Sequence, residues 1–145
     1  MKKHSEHDLF AELAKLFFET RQVIRANVAG DKPDPNAWMR FETLRYIDDQ
    51  GEPTMRDIAR YLRITAPSAT SLIAHLSREG WIKRVRGVPD MRTVRIVLSA
   101  KGASALARYR ANSRETMQRV FSRLPATDAE ELIRVLRRVN ETHRS

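Results

Sequence analysis

Through most of the chain, apolar residues recur three or four positions apart, the spacing that gathers them on one face of a helix. Leu9, Leu13, Leu16, Phe17 and Ile24 set the first stripe, which starts near Glu6. Phe10 and Phe18 widen it, and Val28-Ala-Gly closes it. Asp31-Lys-Pro-Asp-Pro-Asn interrupts the pattern as a proline-rich loop. Trp38, Phe41, Leu44 and Ile47 predict a second helix from about Asn36 to Asp49, and Gly51-Glu-Pro turns the chain. Towards the other end, Ser99 caps a long helix marked by Leu106, Tyr109, Met117, Val120, Phe121 and Leu124. Leu124-Pro-Ala-Thr-Asp breaks it, and Thr127 with Glu130 reads as a capping box. Leu132, Ile133, Leu136 and Val139 form the stripe of the last helix.

The stretch from Thr54 to Gly102 is more finely divided. Thr54 with Asp57 suits a helix start, because the hydroxyl can accept a free backbone N–H and the acid favours the positive end. Ile58, Ala59 and Leu62 give this helix its apolar edge. A second short helix opens at Thr65, has Pro67 near its start and stops at Gly80. At about 100° per residue, Ala69, Leu72, Ile73 and Leu76 share one face. Pro67, Ser71, Ala74 and Arg78 point the other way, flanked by Ser68, Thr70 and His75. Trp81-Ile-Lys-Arg-Val-Arg and Thr93-Val-Arg-Ile-Val-Leu are rich in strand formers, and Gly87-Val-Pro-Asp-Met-Arg between them is full of turn formers. The prediction is a mainly α chain with a small β-hairpin (α+β), a winged helix-turn-helix flanked by N- and C-terminal helices.

This pattern has a chemical use. A small, hydroxyl-bearing helix face can enter a major groove and offer hydroxyls and an imidazole to base edges. The same residues would serve equally as ordinary solvent-facing positions. Lys83, Arg84, Arg86, Arg92 and Arg95 crowd the hairpin and are opposed there only by Asp90. Such a wing can lie on phosphates and put an Arg into the minor groove. The simpler reading, a solvated charged hairpin, loses ground beside a helix-turn-helix. Candidate DNA-contacting residues are therefore Thr65, Pro67, Ser68, Thr70, Ser71 and His75 on the helix, with Arg84, Arg86 and Arg92 on the wing. Asp90, which DNA would repel, is expected to hold the wing by pairing with a nearby Arg.

The order of residues resembles the multiple antibiotic resistance regulator (MarR) family of winged-helix transcription factors, most specifically from Phe41 to Gly102. Phe41 and Leu44 match the aromatic and Leu ahead of the unit, and Thr54, Ile58-Ala59 and Leu62 match its first helix. Ile64-Thr65, Leu76 and Gly80 match the recognition helix, and Asp90-Met91-Arg92, Leu98-Ser99 and Gly102 match the wing signature. Many members carry Arg, Asp and Arg where this chain has Ser71, Ala74 and His75, and a basic residue where it has Met91. The operator sequence therefore does not carry over. What the resemblance implies is a dimeric regulator, with residues 1–35 and 100–145 dimerising and residues 36–99 binding DNA. It also implies a small-molecule effector, aromatic or anionic, seated between the winged unit and the dimerising helices. Trp38, Phe41 and Phe17 would line such a site, with Arg40 or Arg45 meeting an anionic group, although a packing role is the simpler reading for each aromatic.

Composition narrows the classes further. The 145 residues suit one domain, or one domain with dimerising extensions. A net charge of +9 favours polyanions, nucleic acid first and an anionic membrane surface second. No apolar run approaches the roughly 18 residues of a membrane span. Acidic Glu6, Asp8 and Glu12 interrupt any signal-peptide core. The absence of Cys excludes disulfides, thiolate metal sites and cysteine-based peroxide sensing. It fits the cytoplasm, though it is compatible with any compartment. His4 and His7 could share a helix turn as metal ligands, but terminal, solvent-exposed His is the better reading. No HExxH, GxSxG, P-loop or GxGxxG motif occurs. The expectation is no enzyme, no cofactor and no metal. Three classes remain: a dimeric DNA-binding regulator, a winged-helix module for protein–protein contact, and, disfavoured, a small hydrolase. The Asp90-x-Arg92 wing separates the first two, since a protein-docking wing has no need of a groove-directed Arg.

Overall fold

The computed structural model describes residues 6–28, 36–87 and 90–143. Six helices and one hairpin follow in order: α1 (Glu6–Ala26), α2 (Ala37–Gln50), α3 (Met55–Leu62), α4 (Ala66–Arg78), β1 (Ile82–Arg86), β2 (Val94–Leu98), α5 (Ala100–Phe121) and α6 (Ala126–Thr142). The chain divides into two compact units, residues 32–111 and residues 1–31 with 112–145. Of the proline-rich loop expected at residues 31–36, residues 31–35 lie outside the described residues, and Asn36 is the residue before the first turn of α2.

The central unit holds the buried core. Leu44 and Ile47 from α2, Ile58 from α3, Ile73 and Leu76 from α4, Ile82 and Ile96 from the hairpin and Leu106 from α5 form one cluster. Burying each such side chain contributes about 1.5–3 kcal/mol. Local bonds set where α3 and α4 begin and end. At the start of α3 the Thr54 hydroxyl accepts the Asp57 N–H (3.2 Å), while the Asp57 carboxylate accepts the Thr54 N–H (2.9 Å) and hydroxyl (2.8 Å). The Thr54 backbone N–H and then its hydroxyl hold the Asp57 carboxyl below its ordinary pKa. At its end, Ile64 N–H reaches Ala59 O and Arg63 N–H reaches Arg60 O, with Arg63 itself left-handed at φ 55°. Helix α4 opens on Thr65, whose hydroxyl accepts the Ser68 N–H. It closes the same way as α3: Trp81 N–H bonds Leu76 O, Gly80 N–H bonds Ser77 O, and Gly80 has φ +74°.

The hairpin is antiparallel, with Ile82 opposite Leu98, Arg84 opposite Ile96 and Arg86 opposite Val94. A further connection joins it to the residues before α3. Thr54 bridges Arg95, Ile96 N–H donates to Pro53 O (2.9 Å), and the Arg95 guanidinium donates to Glu52 O (3.2 Å). Helix α5 is capped by Ser99, whose Oγ accepts the Gly102 N–H (3.0 Å) and donates to Gly80 O (2.6 Å). Ser99 N–H also donates to Trp81 O (3.0 Å).

In the outer unit the apolar stripes stand in solvent. Leu9, Leu13, Leu16, Phe17 and Phe18 of α1 are exposed, as are Leu132, Ile133, Leu136 and Val139 of α6. Helix α6 contains no buried residue. The capping box expected from Thr127 and Glu130 does not form. Pro125 is the residue before the first turn, and no side chain caps the helix there. The Pro125 carbonyl takes the N–H groups of Asp128 and Ala129, which leaves Thr127 inside the helix.

Candidate nucleic-acid interface

Helix α4 turns Ala69, Ile73 and Leu76 into the core and leaves Thr65, Pro67, Ser68, Thr70 and Ser71 exposed, with His75 half-buried on the flank. The first turn carries no acid, so the positive end of the helix dipole is not neutralised by its own side chains. The hydroxyls differ in what they can still offer. Thr65 donates to Ser68 Oγ (2.9 Å), and Thr70 donates to Ala66 O (3.0 Å). Thr65 and Thr70 therefore present acceptors, whereas Ser68 and Ser71 keep a proton to donate.

The wing is held by its own polar groups. Asp90 accepts the Arg92 backbone N–H (2.9 Å) and the Thr93 hydroxyl (3.1 Å), and Gly87 N–H donates to Thr93 O (2.7 Å). Asp90 does organise the wing, but through Arg92's main chain and Thr93 rather than through a guanidinium. The short Asp-x-Arg spacing brings the carboxylate to the backbone before it can reach a long side chain. The Arg86 guanidinium reaches across the tip to Met91 O (3.0 Å) and so braces the loop. The side chains of Lys83, Arg84 and Arg92 are exposed. Strand alternation puts Arg84 and Arg86 on one face and Lys83 on the other, so the three do not form a single surface. Val88 and Pro89 lie outside the described residues. Sequence reasoning missed the two residues that brace the wing. Thr93 pairs with Asp90 only three positions away, a local spacing that could have shown it, whereas the partner of Arg95, Glu52 O, is set only by the folded chain.

The aromatics considered for an effector are placed differently from one another. Phe41 stacks on Tyr109 (centroids 4.0 Å apart, planes 10° from parallel) and meets Trp81 at 5.5 Å. The Arg40 guanidinium lies 4.8 Å from the Trp81 ring centre. Trp38 is 61% exposed. Arg45 forks onto both oxygens of Glu42 (3.0 and 2.8 Å), reaches Asp49 (3.0 Å) and touches the Tyr61 hydroxyl, which itself donates to Glu42 (2.8 Å). The Arg45 bond keeps the Glu42 carboxyl below its usual range, and burial raises the Tyr61 hydroxyl above its own. The Arg45 charge is thus already matched. Phe17, in the outer unit, is exposed. His4 and the side chain of His7 lie outside the described residues. Among the described residues no group of three or more His, Asp or Glu is placed to hold a metal ion, and no helix is long and apolar enough to cross a membrane.

Comparison with known proteins gives a consistent result. The MarR family's sequence model matches residues 37–92. YwhA of Bacillus subtilis (strain 168), an uncharacterized HTH-type transcriptional regulator, is 30% identical over 124 residues, covering 86% of this chain and 86% of YwhA. Among solved structures, a MarR family protein from Bacillus stearothermophilus is similar with a TM-score of 0.78 at 19% identity, covering 100% of this chain and 99% of that one. Streptococcus pneumoniae FabT, solved in complex with DNA, has a TM-score of 0.73 at 17% identity over 95% of this chain and 96% of its own.

Proposed function

The chain belongs to the MarR family of transcriptional regulators, and from that premise we propose that it is a homodimer that binds a pseudo-palindromic operator in double-stranded DNA and represses the genes beside it. The observation that carries the reading is the pairing, within one compact unit, of an acid-free exposed helix face with an exposed cationic hairpin. Ser68 and Ser71 donate to base edges, Thr65 and Thr70 accept, Pro67 meets a thymine methyl, and His75 reads from the flank. Arg92 enters an A/T-rich minor groove, Arg84 meets phosphates, and Arg86 meets them while bracing the tip. With serine at position 71, guanine readout from the helix centre is modest, and discrimination leans on DNA shape.

The dimer supplies the rest of the specificity. Leu9, Leu13 and Phe17 with Leu132, Ile133, Leu136 and Val139 are apolar side chains that a single chain leaves in water, and a two-fold partner covers them. Residues 1–35 and 100–145 then dimerise, and residues 36–99 read half-sites whose centres lie roughly 10 bp apart. The protein acts in the cytoplasm, where its DNA is. A small aromatic or anionic molecule that releases the operator completes the reading. Thermal-shift screening with aromatic carboxylates tests that part, and no stabilisation by any of them removes the anionic version.

The central experiment pairs sedimentation with a salt-titrated gel shift on the chain's own upstream DNA. The parent should be dimeric and retain that DNA in excess of competitor. Leu136→Asp should be monomeric and lose the specific complex while keeping salt-sensitive, non-specific binding. A monomeric Leu136→Asp that holds the operator at parental affinity would sink the dimer reading.

A further inference from the structure

The solvent face of α3 carries charge that the proposed contacts of α4 and the wing leave unused. Arg56, Arg60 and Arg63 are four and three positions apart, within about 60° of one another around the helix. They lie opposite Ile58 and Leu62, which pack in the core cluster. All three are exposed. Among the described residues none of their guanidinium groups makes a hydrogen bond or an ion pair. Some other helix-surface arginines find acids, such as Arg45 with Glu42 and Asp49, Arg110 with Asp48, and Arg134 with Glu131. The carboxylate of α3 itself, Asp57, is turned back onto Thr54 by two hydrogen bonds. The stripe therefore presents one sign of charge.

Arg63 adds a second observation. It is the one non-glycine residue with positive φ among those described (φ 55°, ψ 43°). That backbone disfavours any residue with a Cβ, and glycine would close the helix there without strain. Here a long cationic side chain occupies the position, two residues before Thr65, the cap of α4. At 3.8 Å per residue step its Cα is at most about 7.6 Å from that of Thr65. It therefore sits at the end of α4 that carries Ser68, Thr70 and Ser71. In a helix-turn-helix on DNA, the first helix crosses the backbone at the lip of the groove that the second enters.

We propose that Arg56, Arg60 and Arg63 form a second phosphate-binding rail on α3, which takes the DNA backbone bordering the groove that α4 occupies. This rests on the DNA-binding reading. The rail acts through charge, so it strengthens binding to any duplex and adds no base preference.

The test measures the dependence of binding on salt. The full-length parent, Arg56→Gln/Arg60→Gln/Arg63→Gln and Arg84→Gln/Arg92→Gln are titrated on the upstream duplex and on a random-sequence duplex. Each phosphate contact contributes about 0.9 to the slope of log K against log salt, so the α3 triple variant should lose about 2–3 from the slope on both duplexes. Between 50 and 200 mM salt the parent should then lose roughly 40-fold more affinity than the variant. Arg63→Gly should lower the slope by about one while its thermal midpoint stays at or above the parent's. A triple variant that keeps the parental slope, while the wing variant loses part of it, overturns the rail and leaves the DNA-binding reading standing. A parent that retains neither duplex overturns both.

Discussion

Replacing Gly102 by Ala should be among the most damaging single-methyl changes in the central unit. A Cβ built at this position lies 1.9 Å from the Trp81 carbonyl oxygen, 2.8 Å from its carbon and 3.1 Å from its Cα. All three are backbone atoms, so no side chain can rotate away. Carbon and oxygen approach no closer than about 3.3 Å at ease, so the first turn of α5 must retreat by more than an ångström. That retreat stretches the Ser99 N–H bond to Trp81 O and the Ser99 hydroxyl bond to Gly80 O, now 3.0 and 2.6 Å. Overpacking of this kind costs about 1–3 kcal/mol, and two weakened hydrogen bonds add about 0.5–1.5 kcal/mol each. The better helix propensity of Ala returns about 1 kcal/mol, which leaves a net loss on the order of 1–5 kcal/mol. Gly80→Ala is the comparison, because its Cβ would meet only the Lys101 side chain, Cδ at 3.7 Å and Nζ at 4.0 Å. Its loss is limited to the left-handed backbone, about 1–2 kcal/mol. Urea unfolding of both variants and the parent, with m values checked for equality, reads the difference. If Gly102→Ala unfolds at the parental urea midpoint, or proves milder than Gly80→Ala, the close-approach argument is refuted.

Three further predictions concern the cap of α3 and the wing. Thr54→Ala leaves the backbone N–H bond to the Asp57 carboxylate in place but removes the hydroxyl that accepts the Asp57 N–H, and should destabilise by about 1 kcal/mol near neutrality. Part of that loss is the hydroxyl–carboxylate bond that helps hold the Asp57 carboxyl below its ordinary pKa. Because the folded-state pKa is depressed, the parent has this contribution in full above the unfolded carboxylate pKa of about 4 and loses it as pH falls through the lower folded value. The stability gap between parent and variant should therefore narrow under acid, and a gap that widens instead would contradict the assignment. On the wing, Arg92→Ala should weaken operator binding by about 1–3 kcal/mol. Asp90→Ala should also weaken it, even though it removes a negative charge, because Arg92's backbone loses its anchor. Tighter binding by Asp90→Ala in a gel shift at matched salt would show the carboxylate to be a mere repellent.

Features that depend on near neighbours are legible in the sequence. Thr54 with Asp57, Thr65 as the opening of α4, and Gly80 after its last turn are all set within six residues, and the structure places each as the pattern predicts. The helical wheel sorts Ala69, Ile73 and Leu76 from Pro67 and Ser71 for the same reason. The Thr127 box fails by two residues: a cap needs its residue just outside the helix, and α6 already opens on Pro125. The Thr54–Arg95 bridge and the Arg95 bond to Glu52 join positions some forty residues apart, and no local spacing encodes them. Charge alone groups Arg86 with its neighbours, but strand alternation and the Met91 carbonyl decide where its guanidinium goes.

The local closures of α3 and α4 also bear on the order in which the chain assembles. All four helix ends are tied by bonds between residues no more than five apart, from Thr54–Asp57 to Trp81–Leu76. Such short loops close in well under a microsecond and lose little chain entropy. The hairpin and the docking of α5 onto the Trp81 carbonyl involve longer separations and come later. The two central helices, each too short to persist alone, should therefore form together around Ile58 and Ile73 before the apolar stripes of α1 and α6 meet a partner. Conservative mutations at Ile58 and Ile73 should accordingly slow refolding, whereas those at Leu106 should mainly hasten unfolding.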